Sequence, residues 1–119
     1  MYAIILRDPG VNGTVVENTF FVNSFPAKIL FDSGASHSFI SLSFMRRLHL
    51  MPDNLDIPLS VASPLGDCSI LEFVCRGCAI SLDDVQFMVD LIVLVMSAFD
   101  VIMGMDWLST YHEKINYFA

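Results

Sequence analysis

The chain has 119 residues, of which 55% are hydrophobic, and it carries a net charge of −7. That apolar content excludes a disordered chain, and the acidity argues against nucleic acid or an anionic membrane surface as a partner. The length suits one domain, residues 1–119, with a modest core. Charged residues reach only 16%, so another chain is expected to cover some apolar surface.

Strand signals dominate. Tyr2 to Leu6 is a short apolar run closed by the turn cluster Asp8-Pro9-Gly10. Thr14 to Val22 is rich in Val, Thr and Phe, as strands are. Ala27 to Phe31 is a further apolar run that ends at Asp32-Ser33-Gly34. Ser41 can cap a short helix with Leu42, Met45 and Leu48 on one face and Arg46 and Arg47 turned outward. Ile57 to Ala62 and Cys68 to Cys75 read as the two arms of a hairpin. Between them Ser63-Pro64-Leu65-Gly66 has the pattern of a type I turn. Gln86 to Val95 and Val101 to Met103 are the last strands, and Met105 to Tyr111 is a second short helix. The sum is an all-β fold with one or two short helices.

The longest apolar stretch, Leu91 to Phe99, is bounded by Asp90 and Asp100 and falls short of the roughly 18 residues a membrane helix needs. Met1 to Gly10 lacks the order of a secretory signal, and three cysteines cannot all pair within one chain. Reduced thiols and a cytoplasmic location are expected.

Two segments carry chemistry. In Ile29-Leu30-Phe31-Asp32-Ser33-Gly34-Ala35-Ser36-His37 an apolar strand runs straight into an Asp. Apolar neighbours penalise its charge, which makes it an unusual structural choice. Gly34 permits a tight turn that brings backbone amides close to the carboxylate. Taken alone, the segment reads more readily as an ordinary turn. The second segment, Asp100-Val101-Ile102-Met103-Gly104-Met105-Asp106-Trp107-Leu108, is an apolar strand ending at a Gly, as where another backbone passes close by.

Together the two segments resemble the retroviral-type aspartic proteases, and more narrowly those of Ty3/gypsy-class retrotransposons. Asp32-Ser33-Gly34-Ala35 matches the active-site loop of that family, and Ile102-Met103-Gly104 its apolar-apolar-Gly strand. The hairpin from Ile57 to Cys75 falls where the family has its flap. The resemblance implies a retropepsin-like acid protease β-barrel that forms the half-site of a two-fold dimer. It implies an aspartic endopeptidase that processes a Gag-Pol polyprotein, in the cytoplasm or in retrotransposon particles. The polypeptide substrate would be cut by water held between two copies of Asp32, with no cofactor and no metal. By the same resemblance Ser33 would bond across the dimer axis, and the Gly34 amide would donate to Asp32. Ile102, Met103 and Gly104 would support the loop, and Pro64, Leu65 and Gly66 would form the flap tip. The position after Gly104, an Arg in several retroviral enzymes, is Met105 here, so a charged brace is absent or replaced. The chain termini, Tyr2 to Leu6 and Lys114 to Phe118, are the matching candidates for a dimer interface.

Other readings are weaker. Ser36, His37 and Ser38 hint at a nucleophile beside a base, but neighbours on a strand point to opposite faces and should not touch. Cys75-Arg76-Gly77-Cys78 with Cys68 hints at zinc, whereas a structural site usually takes four ligands. Asp83-Asp84 reads as a solvated turn, and Trp107 as core. The runner-up function is a catalytically inactive dimerisation or peptide-binding module on the same fold.

Overall fold

The structure, a computed structural model, describes residues 2–5, 14–15, 20–62, 68–82 and 85–109. The strands are β1 (Tyr2–Ile5), β2 (Thr14–Val15), β3 (Phe20–Val22), β4 (Phe25–Ala27), β5 (Ile29–Phe31) and β6 (Phe39–Ser41). Helix α1 (Leu42–Arg47) precedes β7 (Asp53–Ala62), β8 (Cys68–Leu82), β9 (Val85–Leu94) and β10 (Val101–Met103). Residues 105–109 are helical.

The strands form one ten-stranded sheet in the order β1-β7-β8-β9-β6-β10-β5-β2, with the β3–β4 hairpin attached to β8. The expected barrel is an open one: among the described residues β1 and β2 end the path without pairing to each other. β10 lies between β5 and β6, parallel to the first and antiparallel to the second. All three are covered on both faces. Val101, Met103, Ile29 and Ile40 face one core cluster, while Ile102, Leu30 and Phe39 face another. Strands covered on both sides read as unbroken apolar runs, which is why Val101-Ile102-Met103 has no polar alternation.

Several expected elements take different bounds. Of Thr14 to Val22 the described residues give β2, which pairs with β5, and β3, which pairs with β4 and β8. Ala27 to Phe31 divides at Lys28, where the chain leaves β3 and joins β10. Asn23 and Ser24 both have positive φ, 48° and 71°, which makes a tight two-residue hairpin turn. The Asn23 amide donates to Ala79 O, and Asn23 Oδ1 accepts from the Ala79 amide, so the turn is docked on β8. β8 does not stop at Cys75 but continues to Leu82. Its register against β9 shifts between Cys75 and Cys78, where Gly77 takes φ 66° and donates to Asp90 Oδ1. Helix α1 begins as expected, with Ser41 Oγ accepting from the Phe44 amide at 3.0 Å. It buries Phe44 as well as Met45.

Within the chain Tyr2–Ile5 is an end strand of the sheet. It pairs in parallel with β7, Tyr2 opposite Ser60 and Ile5 opposite Ala62. Its backbone groups find partners in the nearest open strand edge, as unpaired edges do. Lys114 to Phe118, Asp83-Asp84 and the tip Pro64, Leu65 and Gly66 lie outside the described residues. The hairpin arms are described up to the pair Ala62 and Cys68.

Candidate active site

The parallel pairing of β5 and β10 sends Asp32 and Gly104 out of the sheet at the same end. Ile29, Leu30 and Phe31 lie opposite Val101, Ile102 and Met103 in register. The Asp32 amide donates to Met103 O at 2.9 Å, which extends the ladder by one step. Residues 32–38 must then cross the end of β10 to reach β6 on its far side.

The crossing leaves almost no space. A Cβ on Gly104 would stand 2.1 Å from His37 O and 2.8 Å from Ala35 O. Only a residue without a side chain fits there. Ala35 is wholly buried, while Ser33 and Gly34 face solvent.

The Asp32 side chain is 0% exposed. Its Oδ1 accepts from the Gly34 amide at 2.8 Å, and the Ala35 amide donates to Asp32 O at 3.1 Å. These bonds close a tight turn around the carboxyl. Oδ2 is buried and has no hydrogen-bond partner among the described residues. Leaving a buried polar atom unpaired costs about 1–3 kcal/mol, and more when it is charged, so native folds keep such atoms for a reason.

Leu59, Val61 and Leu71, on the arms of the β7–β8 hairpin, pack into the cluster that holds Leu30, Ala35 and Ile102. The hairpin therefore lies against the Asp32 loop. Between them is a cavity of about 290 Å³ lined by His37, Leu55, Asp56, Ile57, Pro58, Leu59, Arg76 and Ile92.

Behind the loop Trp107 is buried against Phe31 and Phe87, with ring centroids 5.6 Å and 5.3 Å apart. It belongs to the core. Cys75 and Cys78 are buried too, and Cys68 is exposed. Burial, with the charge of Asp53, pushes the Cys75 thiol up. Burial, then Cys75 and Asp90, push Cys78 up to about 12. Ser36 and His37 correct one expectation: Ser36 Oγ and His37 Nδ1 are 2.9 Å apart. The alternation argument fails because residues 33–37 form a bent loop and not a strand.

Ser38 is the site residue that sequence reasoning passed over. It is 0% exposed, and its Oγ accepts from the Gly104 amide at 2.9 Å and donates to Asp106 Oδ1 at 2.7 Å. No local pattern couples positions so far apart. The only sequence signal is a Ser set directly before the apolar Phe39-Ile40.

A family model described as retroviral aspartyl protease matches residues 1–119. The chain belongs to that family. A solved structure, EIAV protease complexed with the inhibitor HBY-793, is similar to it with a TM-score of 0.64 and 18% identity. That likeness covers 83% of this chain and 89% of the viral one, and it shows a shared fold. Among curated proteins there is no match. The retropepsin-like family and fold are thus established, and the Ile102-Met103-Gly104 strand and the Asp32 loop lie within the matched region.

Proposed function

We propose that this chain is an aspartic endopeptidase that acts as a homodimer on polypeptide substrates, with Asp32 as its catalytic residue. The observation that carries the reading is the state of the Asp32 carboxyl. One oxygen is fixed by the Gly34 amide, and the other is buried with no hydrogen-bond partner among the described residues. A second Asp32 across a two-fold axis gives that oxygen a partner. Two carboxyls about 3 Å apart share one proton and titrate as a pair. The ionised member takes a proton from a water held between them as that water attacks the peptide carbon. The protonated member polarises the carbonyl, and a proton then passes to the leaving nitrogen.

The remaining roles follow from placement. Ser33, exposed beside Asp32, would bond to its counterpart across the axis. Ile102 and Met103 back the loop, and Gly104 lets it cross. The hairpin, with Pro64, Leu65 and Gly66 at its tip, would close over the substrate, whose side chain could enter the cavity beside His37. Within this reading, processing of a retrotransposon Gag-Pol polyprotein in the cytoplasm is the fitting role.

The test is Asp32→Asn, which keeps shape and removes the base. We expect loss of cleavage of unfolded protein with the circular dichroism spectrum unchanged, and specific activity of the wild type that falls on dilution. Near wild-type cleavage by Asp32→Asn would overturn the assignment. A wild-type chain that dimerises but never cuts would favour the inactive module.

A further inference from the structure

Three consecutive residues at the end of β10 are stitched to the Asp32 loop. Met103 O accepts from the Asp32 amide, the Gly104 amide donates to Ser38 Oγ, and the Met105 amide donates to Ala35 O at 2.7 Å. Two of these bonds join backbone to backbone. The third rests on a side chain, the Ser38 hydroxyl. That hydroxyl is itself held: it donates to Asp106 Oδ1, which also accepts from the Trp107 amide at 2.8 Å. A hydroxyl-to-carboxylate bond of 2.7 Å is charge-assisted and stronger than a neutral one. The Ser38 carbonyl accepts from the Ile92 amide at 3.0 Å, so the same residue also ties the loop to β9. Met105, apolar and 42% exposed, offers no charged brace.

We infer that Ser38, pinned by Asp106, is the positioning residue that holds the loop in the geometry that lets Asp32 act. The inference rests on the proposed function and deepens it. Without the hydroxyl, the Gly104 amide loses its acceptor at a crossing where its neighbour His37 O is already in close contact. The loop end at Ser38 then keeps its carbonyl bond to Ile92 but loses its side-chain tie to β10. Asp32 is anchored by its own amide and shifts less than Ser38, but the paired carboxyls need alignment to a fraction of an ångström. A misplacement of about 1 Å can cost about 100-fold in rate. Asp106 holds Ser38 by acceptance at Oδ1, an atom that an Asn carbonyl also offers, and its charge strengthens that bond.

The experiment uses the dimeric chain and four variants. A fluorogenic peptide selected from a library by wild-type cleavage gives kcat and KM. Carbon-13 resonances of the Asp32 carboxyl give the titration of the pair. We expect Ser38→Ala to lower kcat about 10- to 100-fold with KM little changed, and Ser38→Thr to restore most of the loss. Asp106→Asn keeps an accepting oxygen but not the charge, so it should lose clearly less than Asp106→Ala, which should fall toward Ser38→Ala. The two titration steps of the wild-type pair should draw closer together in Ser38→Ala, since separated carboxyls repel less. If Ser38→Ala does not fold, the contrast between Asp106→Asn and Asp106→Ala carries the test. Two wild-type steps that stay unmoved in the variants, with a rate loss that tracks only lost dimer, would overturn the positioning role alone. A single ordinary step in the wild-type dimer would refute the paired reading and this inference with it.

Discussion

Gly104→Ala is the smallest change that should break the site. The added Cβ would lie 2.1 Å from His37 O and 2.8 Å from Ala35 O, both backbone atoms. An unstrained contact needs roughly 3.5 Å, so the His37 carbonyl must retreat by more than about 1 Å. It cannot rotate away alone, since His37 is followed by Ser38, whose carbonyl and hydroxyl are both bonded. Overpacking of this kind costs about 1–3 kcal/mol. Loss of the Gly104–Ser38 or the Met105–Ala35 bond leaves a buried group unsatisfied and adds about 1–3 kcal/mol. A total of about 2–6 kcal/mol is a large part of the roughly 5–15 kcal/mol that a domain holds.

Gly77→Ala is the matched control. Gly77 has φ 66°, but a Cβ there would meet only Met88 Cε, at 3.8 Å. Its cost is the left-handed backbone alone, about 1–2 kcal/mol. Equilibrium urea unfolding of both variants at one protein concentration measures the difference, and peptide cleavage measures the consequence for Asp32. We expect Gly104→Ala to be the less stable by about 2 kcal/mol or more and to lose cleavage, while Gly77→Ala keeps it. Equal stability losses in the two variants would refute the crossing geometry.

Two further outcomes concern the thiols. In the native chain a thiol reagent should label Cys68 quickly and leave Cys75 and Cys78 unlabelled until denaturant is added, because only Cys68 is exposed. Rapid labelling of all three without denaturant would contradict the packing of β8 on β9. Stability should also fall with alkali. The folded Cys78 thiol is held up to about 12 against an ordinary value of 9.0, so between these values the unfolded chain releases a proton that the folded chain keeps. Unfolding is then favoured as pH rises from about 9 toward 12. The urea midpoint of the wild type should drop across that range, and that of Cys78→Ala should drop less.

What could be read in the sequence tracks how each segment meets its neighbours. The Asp32 loop and the Ile102-Met103-Gly104 strand stood out as a pair through their resemblance to the protease family, and the structure places both at the same end of the sheet. Strand β6 was hidden. Phe39, Ile40 and Ser41 are buried on both faces, so three residues without alternation looked like part of a loop. β8 was cut short at Cys75 because the Arg76-Gly77 pair reads as a turn, whereas the chain absorbs it as a register shift beside Asp90. The Asn23-Ser24 hairpin turn went unseen between the expected strands Thr14 to Val22 and Ala27 to Phe31, although Asn is well suited to positive φ. Tyr2–Ile5 was legible as a strand but not in its partner, since pairing with Ser60 and Ala62 is a choice made across the whole chain.

The run of small residues from Ser33 to Ser38 has a physical cause in the strand order. β5 and β6 flank β10, so the loop must span two strand spacings, roughly 10 Å. Seven residues from Asp32 to Ser38 could reach roughly 23 Å if extended. The excess length is taken up by the tight turn in which the Gly34 amide meets Asp32 Oδ1 and the Ala35 amide meets Asp32 O. That turn aims the carboxyl. The rest of the loop passes over Gly104, where bulk on either strand would collide, which restricts Ala35 and Gly104 to small residues and leaves His37 to contribute its backbone there. The crossing is closed by Ser38, the first position whose side chain can reach back to the Gly104 amide. The constraint that produces the Asp-Ser-Gly-Ala pattern is therefore the same constraint that requires Gly104 far downstream of it, and a hydroxyl at position 38 completes it.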